Sequence, residues 1–326
     1  LADKEDMMKH DMVKVIASCI AVVLMLVFFN QFIKKEQAEM EEHVTFGATY
    51  MSMDNPFFEE LNSSMQEIIE ANGDRLIARN PAQNQEKQNQ QIYDMLAQGI
   101  DLLFINPVDW KGVMPALVAC RNAGIPVVNV DTNVFDTSYV DSIILSDNYL
   151  AGVQIANDVI SKRDSGRIVI LSHDSIFSTY ERVRGFEETI AKSHKDFKVV
   201  YKTTTVVTLE ASMDAMLKFL DYKIPFDIVL GGNDPTALGA LAAMQKTNIG
   251  LDKLIYGIDG SPLGKAMVKQ GYMDGTSAQF PIEIGEKSAH IAYEILAGKE
   301  VPKQILIPVK LITSDNVDDF DISGWQ

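Results

Sequence analysis

The stretch "RLIARNPAQNQEKQNQQIYDMLAQGIDLLFIN", residues 75–106, carries the pattern from which the fold is read. It opens on a short strand-like run, "RLIAR", and closes on "DLLFIN", which is apolar almost throughout. Between them "NQEKQNQQIYDMLAQG" reads as a helix that ends at Gly99, because glycine enters the left-handed conformation that stops a helix. A strand with no polar face has both faces buried, which is the condition of a central strand in a parallel sheet. The stretch is therefore a strand–helix–strand unit.

The same scheme extends in both directions. "VTFGATY" reads as a strand, and from Phe57 apolar residues recur at Leu61, Met65, Ile68 and Ile69, a helical spacing closed by Asn72-Gly73. "MPALVACRNAG" and "IPVVNVD" repeat helix and strand. Past residue 150, "RIVILS", "KVVYKTTT", "DIVLGGND", "KLIYGIDG" and "DGTSAQ" read as strands, with helices starting near Asn148, Tyr180, Leu209, Pro235, Ser261 and Pro281. Such alternation predicts an α/β fold with mostly parallel sheet covered on both faces. The strands are too many for one doubly wound sheet, so two Rossmann-like lobes are expected. An eight-stranded α/β barrel is the alternative, disfavoured because the units exceed eight. No glycine-rich linker separates the lobes, so short hinge crossings should join them.

The 326 residues carry a formal net charge of −16. Without a basic stripe, an acidic chain does not suit nucleic acid, whose phosphates need Lys and Arg. No P-loop, G-x-S-x-G, H-E-x-x-H, C-x-x-C or calcium-loop motif is present, so neither an enzyme nor a metal or other cofactor is expected. The two cysteines, Cys19 and Cys120, lie in an N-terminal apolar run and in a helical pattern, and no disulfide between them is expected.

That apolar run, "VIASCIAVVLMLVFF" from Val15 to Phe29, has no charge. Extended over 13–33 it reaches about the 20 residues that a bilayer-spanning helix needs. The expected arrangement is a cytoplasmic segment 1–12, an uncleaved signal anchor or transmembrane helix 13–33 and a charged tether 34–43, with the remainder extracellular or periplasmic. The alternative is a cleaved leader, giving a secreted protein or a lipoprotein, since "IASC" resembles a lipoprotein cleavage box ending at Cys19. That box normally follows the apolar region, whereas ten apolar residues follow Cys19.

Ligands of parallel α/β sheets bind beyond the carboxyl ends of the strands. Asn55, Phe57 and Phe58 follow the first strand, Asn106 the third and Asp131 the fourth. Arg182 follows "RIVILS", while Asn233, Asp259 and Gln279 follow the later strands. The polar members are planar groups that hydrogen-bond through two or more atoms, which suits vicinal hydroxyls. The two phenylalanines offer π-faces to the C–H face of a sugar. Each residue also has a local reading: Asp54, Asp234 and Asp259 as helix N-caps, Phe57 as a core residue, and Arg182 as a surface partner of Glu181 or Glu187. As a set, strand end after strand end, they read as a binding ring.

The motifs "DNPFF", "INPVD", "VNVD", "SDN", "YERVRGF", "GGNDPTALGAL", "GIDGSPLG" and "AQFPIEIG" occur in an order and spacing that resemble type I periplasmic sugar-binding proteins, the ribose-binding group of ABC transporter substrate-binding proteins. The resemblance spans roughly 44–312. It extends to the regulatory domains of LacI-type repressors, whose helix-turn-helix is absent from this sequence. It implies two lobes with a three-strand hinge, one formed by 44–147 plus 280–309 and the other by 148–279 plus 310–326. It implies sugar contacts from Asn55, Asn106 and Asp131, stacking by Phe57 and Phe58, and contacts from Arg182, Asn233, Asp259 and Gln279 on the second lobe and hinge.

Three positions depart from the ribose binders: Thr132 stands where they carry a second arginine, Ile258 where they carry an aromatic, and no aromatic lies near Thr208 and Leu209. The stretch "SIFSTYER" also lacks the His and Asp of galactose-type binders. The space left suits a larger or differently shaped polyol, such as a hexose. The expected function is sugar or polyol binding with delivery to an ABC importer permease. A membrane-anchored sensor that passes closure to a kinase or chemoreceptor is the alternative.

Overall fold

Residues 75–106 fold as a βαβ unit in the computed structural model, which describes residues 23–31, 43–173, 176–204, 208–249 and 252–326. Strand β1 (Thr45–Thr49) leads to helix α1 (Pro56–Ala71), then β2 (Arg75–Arg79), α2 (Gln85–Ala97), β3 (Leu102–Ile105), α3 (Met114–Ala123), β4 (Val127–Val130) and β5 (Ser142–Ser146). Asn84 caps α2 by accepting from the Lys87 amide, and Gly99 leaves the helix with φ +76°. The residues of β3 are wholly buried, each apolar one contributing about 1.5–3 kcal/mol to burial.

The chain continues through α4 (Asn148–Lys162), β6 (Ser165–Ser172), α5 (Phe177–Lys192), β7 (Asp196–Thr204), α6 (Leu209–Asp221), β8 (Ile228–Gly231), α7 (Asp234–Lys246), β9 (Leu254–Asp259), α8 (Pro262–Lys269) and β10 (Gly275–Ala278). It closes with α9 (Pro281–Leu296), β11 (Gln304–Ile307) and β12 (Lys310–Thr313).

Two six-stranded sheets result, in the orders β11-β5-β4-β3-β1-β2 and β12-β10-β9-β8-β6-β7. All pairings are parallel except β10 with β12. Strand order reverses between β1 and β3 in one lobe and between β6 and β8 in the other, the switch points where doubly wound sheets open a crevice. The chain passes between the lobes after β5, after β10 and between β11 and β12.

Three strands lie outside those read from the sequence: β5, β11 and β12. Each is only four or five residues long, and β11 and β12 are paired edges whose partners lie far away in sequence. Helix α5 starts at Phe177, about one turn before the Tyr180 read from the pattern.

Residues 44–326 form one compact unit, and residues 1–43 group separately. Within the latter, 23–31 is described as helix, and His43 is the one other described residue. The rest of the expected 13–33 span, the 1–12 segment and most of the 34–43 tether lie outside the described residues. No helix among the described residues is long and apolar enough to cross a membrane.

Candidate functional site

On the first lobe, Asn106 follows β3 and is fully buried. Its Oδ1 accepts from the Met51 amide at 2.9 Å, and its Nδ2 donates to Asp131 Oδ2 at 2.9 Å. One amide side chain thereby fixes the loops after β1, β3 and β4. Asp131 sits at φ +63°, a left-handed conformation that Asp and Asn tolerate better than most residues. Asn55 caps α1, its Oδ1 accepting from the Phe57 amide at 3.1 Å. Phe57 and Phe58 are 2% and 3% exposed. They meet edge to face at 5.2 Å, and Phe58 stacks on Tyr50. Both rings lie in the first turn of α1 and belong to the first-lobe core.

On the second lobe, Arg182 is positioned by an unusually close contact between α4 and α5. A Cβ on Gly152 would lie 1.9 Å from the Arg182 carbonyl oxygen, and one on Gly185 2.1 Å from that of Tyr149. Only glycine allows the two backbones to meet there. The buried guanidinium donates from Nε to Asn148 Oδ1 at 2.7 Å and from Nη1 to the Gly232 carbonyl at 2.9 Å. It also lies 3.8 Å from Asp259 Oδ1. This replaces the surface pairing with Glu181 or Glu187: Arg184 takes Glu181, and Lys202 takes Glu187.

Gln279 donates from Nε2 to Asp259 Oδ1 at 2.8 Å. Its Oε1 is buried and has no hydrogen-bond partner among the described residues, and the same holds for Ser172 Oγ at the end of β6. A buried polar atom without a partner carries a desolvation cost.

The local capping readings are redistributed. The caps are Asn55, Asn233 and Ser261, in place of Asp54, Asp234 and Asp259. Asn233 Oδ1 accepts from the Thr236 amide at 3.0 Å. Asp234 lies behind the site and accepts from the Ser261 amide and hydroxyl and from Thr276 Oγ1, at 2.6 to 2.8 Å.

The two halves face each other in a closed arrangement. The Ser178 amide donates to Thr132 Oγ1 at 2.9 Å, so the residue standing where ribose binders have arginine makes a lobe-to-lobe bond. Trp110 of the first lobe lies 5.2 Å from Phe177 of the second. Burial raises the Asp131 carboxyl to about 6, against the opposing pull of Arg182 across the cleft and the Asn106 hydrogen bond. Burial and the Asp234 charge push Asp259 up as well, while Arg182 and Gln279 pull it down. One guanidinium thus serves acidic groups on both lobes. Asn148, which binds the Arg182 guanidinium, and Ser172 were not named as ligand-binding residues, though Asn148 lies in the quoted "SDN" and Ser172 ends the quoted strand "RIVILS". Among the described residues no group of three His, Cys, Asp or Glu side chains could hold a metal ion.

A family model described as a periplasmic binding protein domain matches residues 46–300. The ribose import binding protein of Salmonella typhimurium is 31% identical over 82% of this chain and 90% of its own length. Among solved structures, the arabinose ABC transporter binding protein of Shewanella sp. ANA-3, bound to L-arabinofuranose, superposes with a TM-score of 0.79 at 26% identity, covering 85% of this chain and 94% of that one. The fructose-binding periplasmic domain of a hybrid two-component system superposes with a TM-score of 0.80 at 25% identity over 85% and 93% of the two chains.

Proposed function

The chain belongs to the periplasmic binding protein family, and on that premise we propose that it takes a sugar or sugar-like polyol between its lobes and delivers it to an ABC importer. It is a binding protein and not an enzyme, as its relatives are. The observation that carries the ligand class is the opposition of Asn106–Asp131 on one lobe to Arg182–Asp259–Gln279 on the other, with Gln279 Oε1 and Ser172 Oγ left open. Carboxylates accept from hydroxyls, the guanidinium donates, and the amides do both. The ligand-binding set is Asn55, Phe57, Phe58, Asn106, Asp131, Arg182, Asn233, Asp259 and Gln279.

The open form admits the ligand, which binds the two halves together. Closure removes water from the hydrogen bonds, and the greater affinity of the closed form draws the hinge shut. The lobes are taken as 44–147 plus 280–309 and 148–279 plus 310–326.

Residues 13–33 are proposed as a signal anchor holding the binding unit outside the cell membrane, with 34–43 as its tether. The support is the uncharged run Val15–Phe29; alkaline carbonate extraction of membranes, which strips peripheral proteins only, tests it. An anchored binding unit also suits a sensor, and the likeness to a two-component periplasmic domain favours that as the second reading. A permease or a kinase co-purifying with the anchored protein separates the two.

Calorimetry with D-ribose, L-arabinose, D-fructose, D-allose and myo-inositol tests the ligand class. At least one is expected to bind, and Arg182→Ala and Asn233→Ala are expected to weaken it more than tenfold, since each leaves buried partners unpaired. Unchanged affinity in both variants would remove these residues from the site.

A further inference from the structure

The segment 321–326 crosses from one lobe to the other. Its base belongs to the second lobe, where Ile322 and neighbouring Phe320 pack on the core formed by Met216, Phe219 and Ile255. Its far part is bolted to the strand ends that bear the site. Gln326 Nε2 donates to the Gln279 carbonyl at 2.8 Å and reaches those of Gly260 and Asp259 at 3.3 and 3.4 Å. Buried Lys265 donates to the Gly324 carbonyl at 2.9 Å and to Gln326 Oε1 at 2.7 Å. Gly260, at φ +66°, has no room for a side chain: a Cβ there would lie 2.7 Å from Gln326 Nε2.

From this anchorage Trp325 extends to the first lobe. Its ring meets Phe57 edge to face at 5.7 Å and an interplanar angle of 75°, a favoured aromatic geometry. It packs against the first-lobe core that contains Phe57 and Phe58. Strand β9 brings no ring to its carboxyl end: Ile258, preceding Asp259, is fully buried in the core with Tyr256 and Ile228.

We propose that Trp325 supplies the second lobe's aromatic wall and is a specificity-determining residue of the cleft, set by the Gln326 and Lys265 hydrogen bonds against Phe57. This rests on the cleft being the sugar site. Because the wall comes from a strap and not from a strand end, it limits the ligand's size on the Phe57 side and must separate from Phe57 when the lobes part.

Two arms test it. The chain has two tryptophans, so Trp110→Phe leaves Trp325 as the sole reporter. In that background Phe57→Ala and Gln326→Ala are each expected to raise acrylamide quenching of Trp325 about twofold without ligand. Unchanged quenching in both overturns the strap.

The second arm measures D-ribose, L-arabinose, D-fructose and myo-inositol by calorimetry. Trp325→Ala is expected to weaken the preferred probe about tenfold and to change the ratio of affinities among the probes, while Trp325→Phe restores both to within threefold. A merely structural tryptophan would lower the melting temperature and leave that ratio in place, which overturns the proposal. If the unsubstituted protein binds none of the probes, the sugar reading fails for this panel, and the quenching arm judges the strap by itself.

Discussion

At the scale of single residues, the site is defined by how few cations serve its acids. Asp131, Asp234 and Asp259 share the field of one guanidinium, Arg182. Burial holds the Asp131 carboxyl at about 6 in the fold against an ordinary 3.8. Between those values Asp131 holds a proton in the fold that it lacks in the unfolded chain, so its own contribution to stability is fully present below about pH 4 and is lost as pH rises through about 6. The shift corresponds to roughly 3 kcal/mol at neutral pH. Asp131→Asn, whose new amide oxygen still accepts from Asn106, is expected to raise the melting temperature at pH 7.5 and to flatten the pH dependence between 4 and 6. Thermal unfolding of both proteins across that range measures it, and parallel curves would show that Asp131 contributes no slope.

At the scale of elements, the α4–α5 contact sets where Arg182 stands. Gly152→Val would press a side chain onto the Arg182 carbonyl, 1.9 Å from the first added carbon, and overpacking of this kind costs about 1–3 kcal/mol or more. Gly99→Ala is the contrast: nothing lies within 4 Å of its Cβ, and only the φ of +76° opposes it, worth about 1–2 kcal/mol. Urea unfolding is expected to rank Gly152→Val as the more damaging. Binding should follow the same order, because only the first displaces the guanidinium. Equal destabilisation would mean that the two helices adjust freely around Arg182.

At the scale of the whole molecule, closure brings Asp131 of one lobe towards Asp259 of the other with Arg182 between them. Ionising both in a dry cleft is unfavourable, and opening rehydrates them. Small-angle scattering of the ligand-free protein is therefore expected to give a larger radius of gyration at pH 8 than at pH 5, with the difference abolished by a saturating bound sugar. The same radius at both pH values would show that these carboxylates do not bias the hinge.

Much of this was written in the linear pattern. "DLLFIN" states a parallel sheet through burial on both faces, because a strand's covering is visible in its side-chain alternation. Asn106, Asp131, Asn233, Asp259 and Gln279 stand at strand ends where the pattern puts them, while Arg182 lies in the second turn of α5. What no local pattern carries is partnership between distant residues. Strands β11 and β12 gain their identity only from edges that they pair with. The caps fell to Asn55, Asn233 and Ser261 because the neighbouring acids were needed elsewhere, Asp234 behind the site and Asp259 beside Arg182. Trp325, some 268 positions from Phe57 by residue number, meets it only because the segment 321–326 is drawn back to Asp259, Gly260 and Gln279. The sequence determined the α/β alternation and where the planar polar groups fall along it, which depend on side-chain type and short-range period. Tertiary structure alone decided which groups share Arg182 and which ring faces Phe57, because those contacts form only once separate segments are packed together.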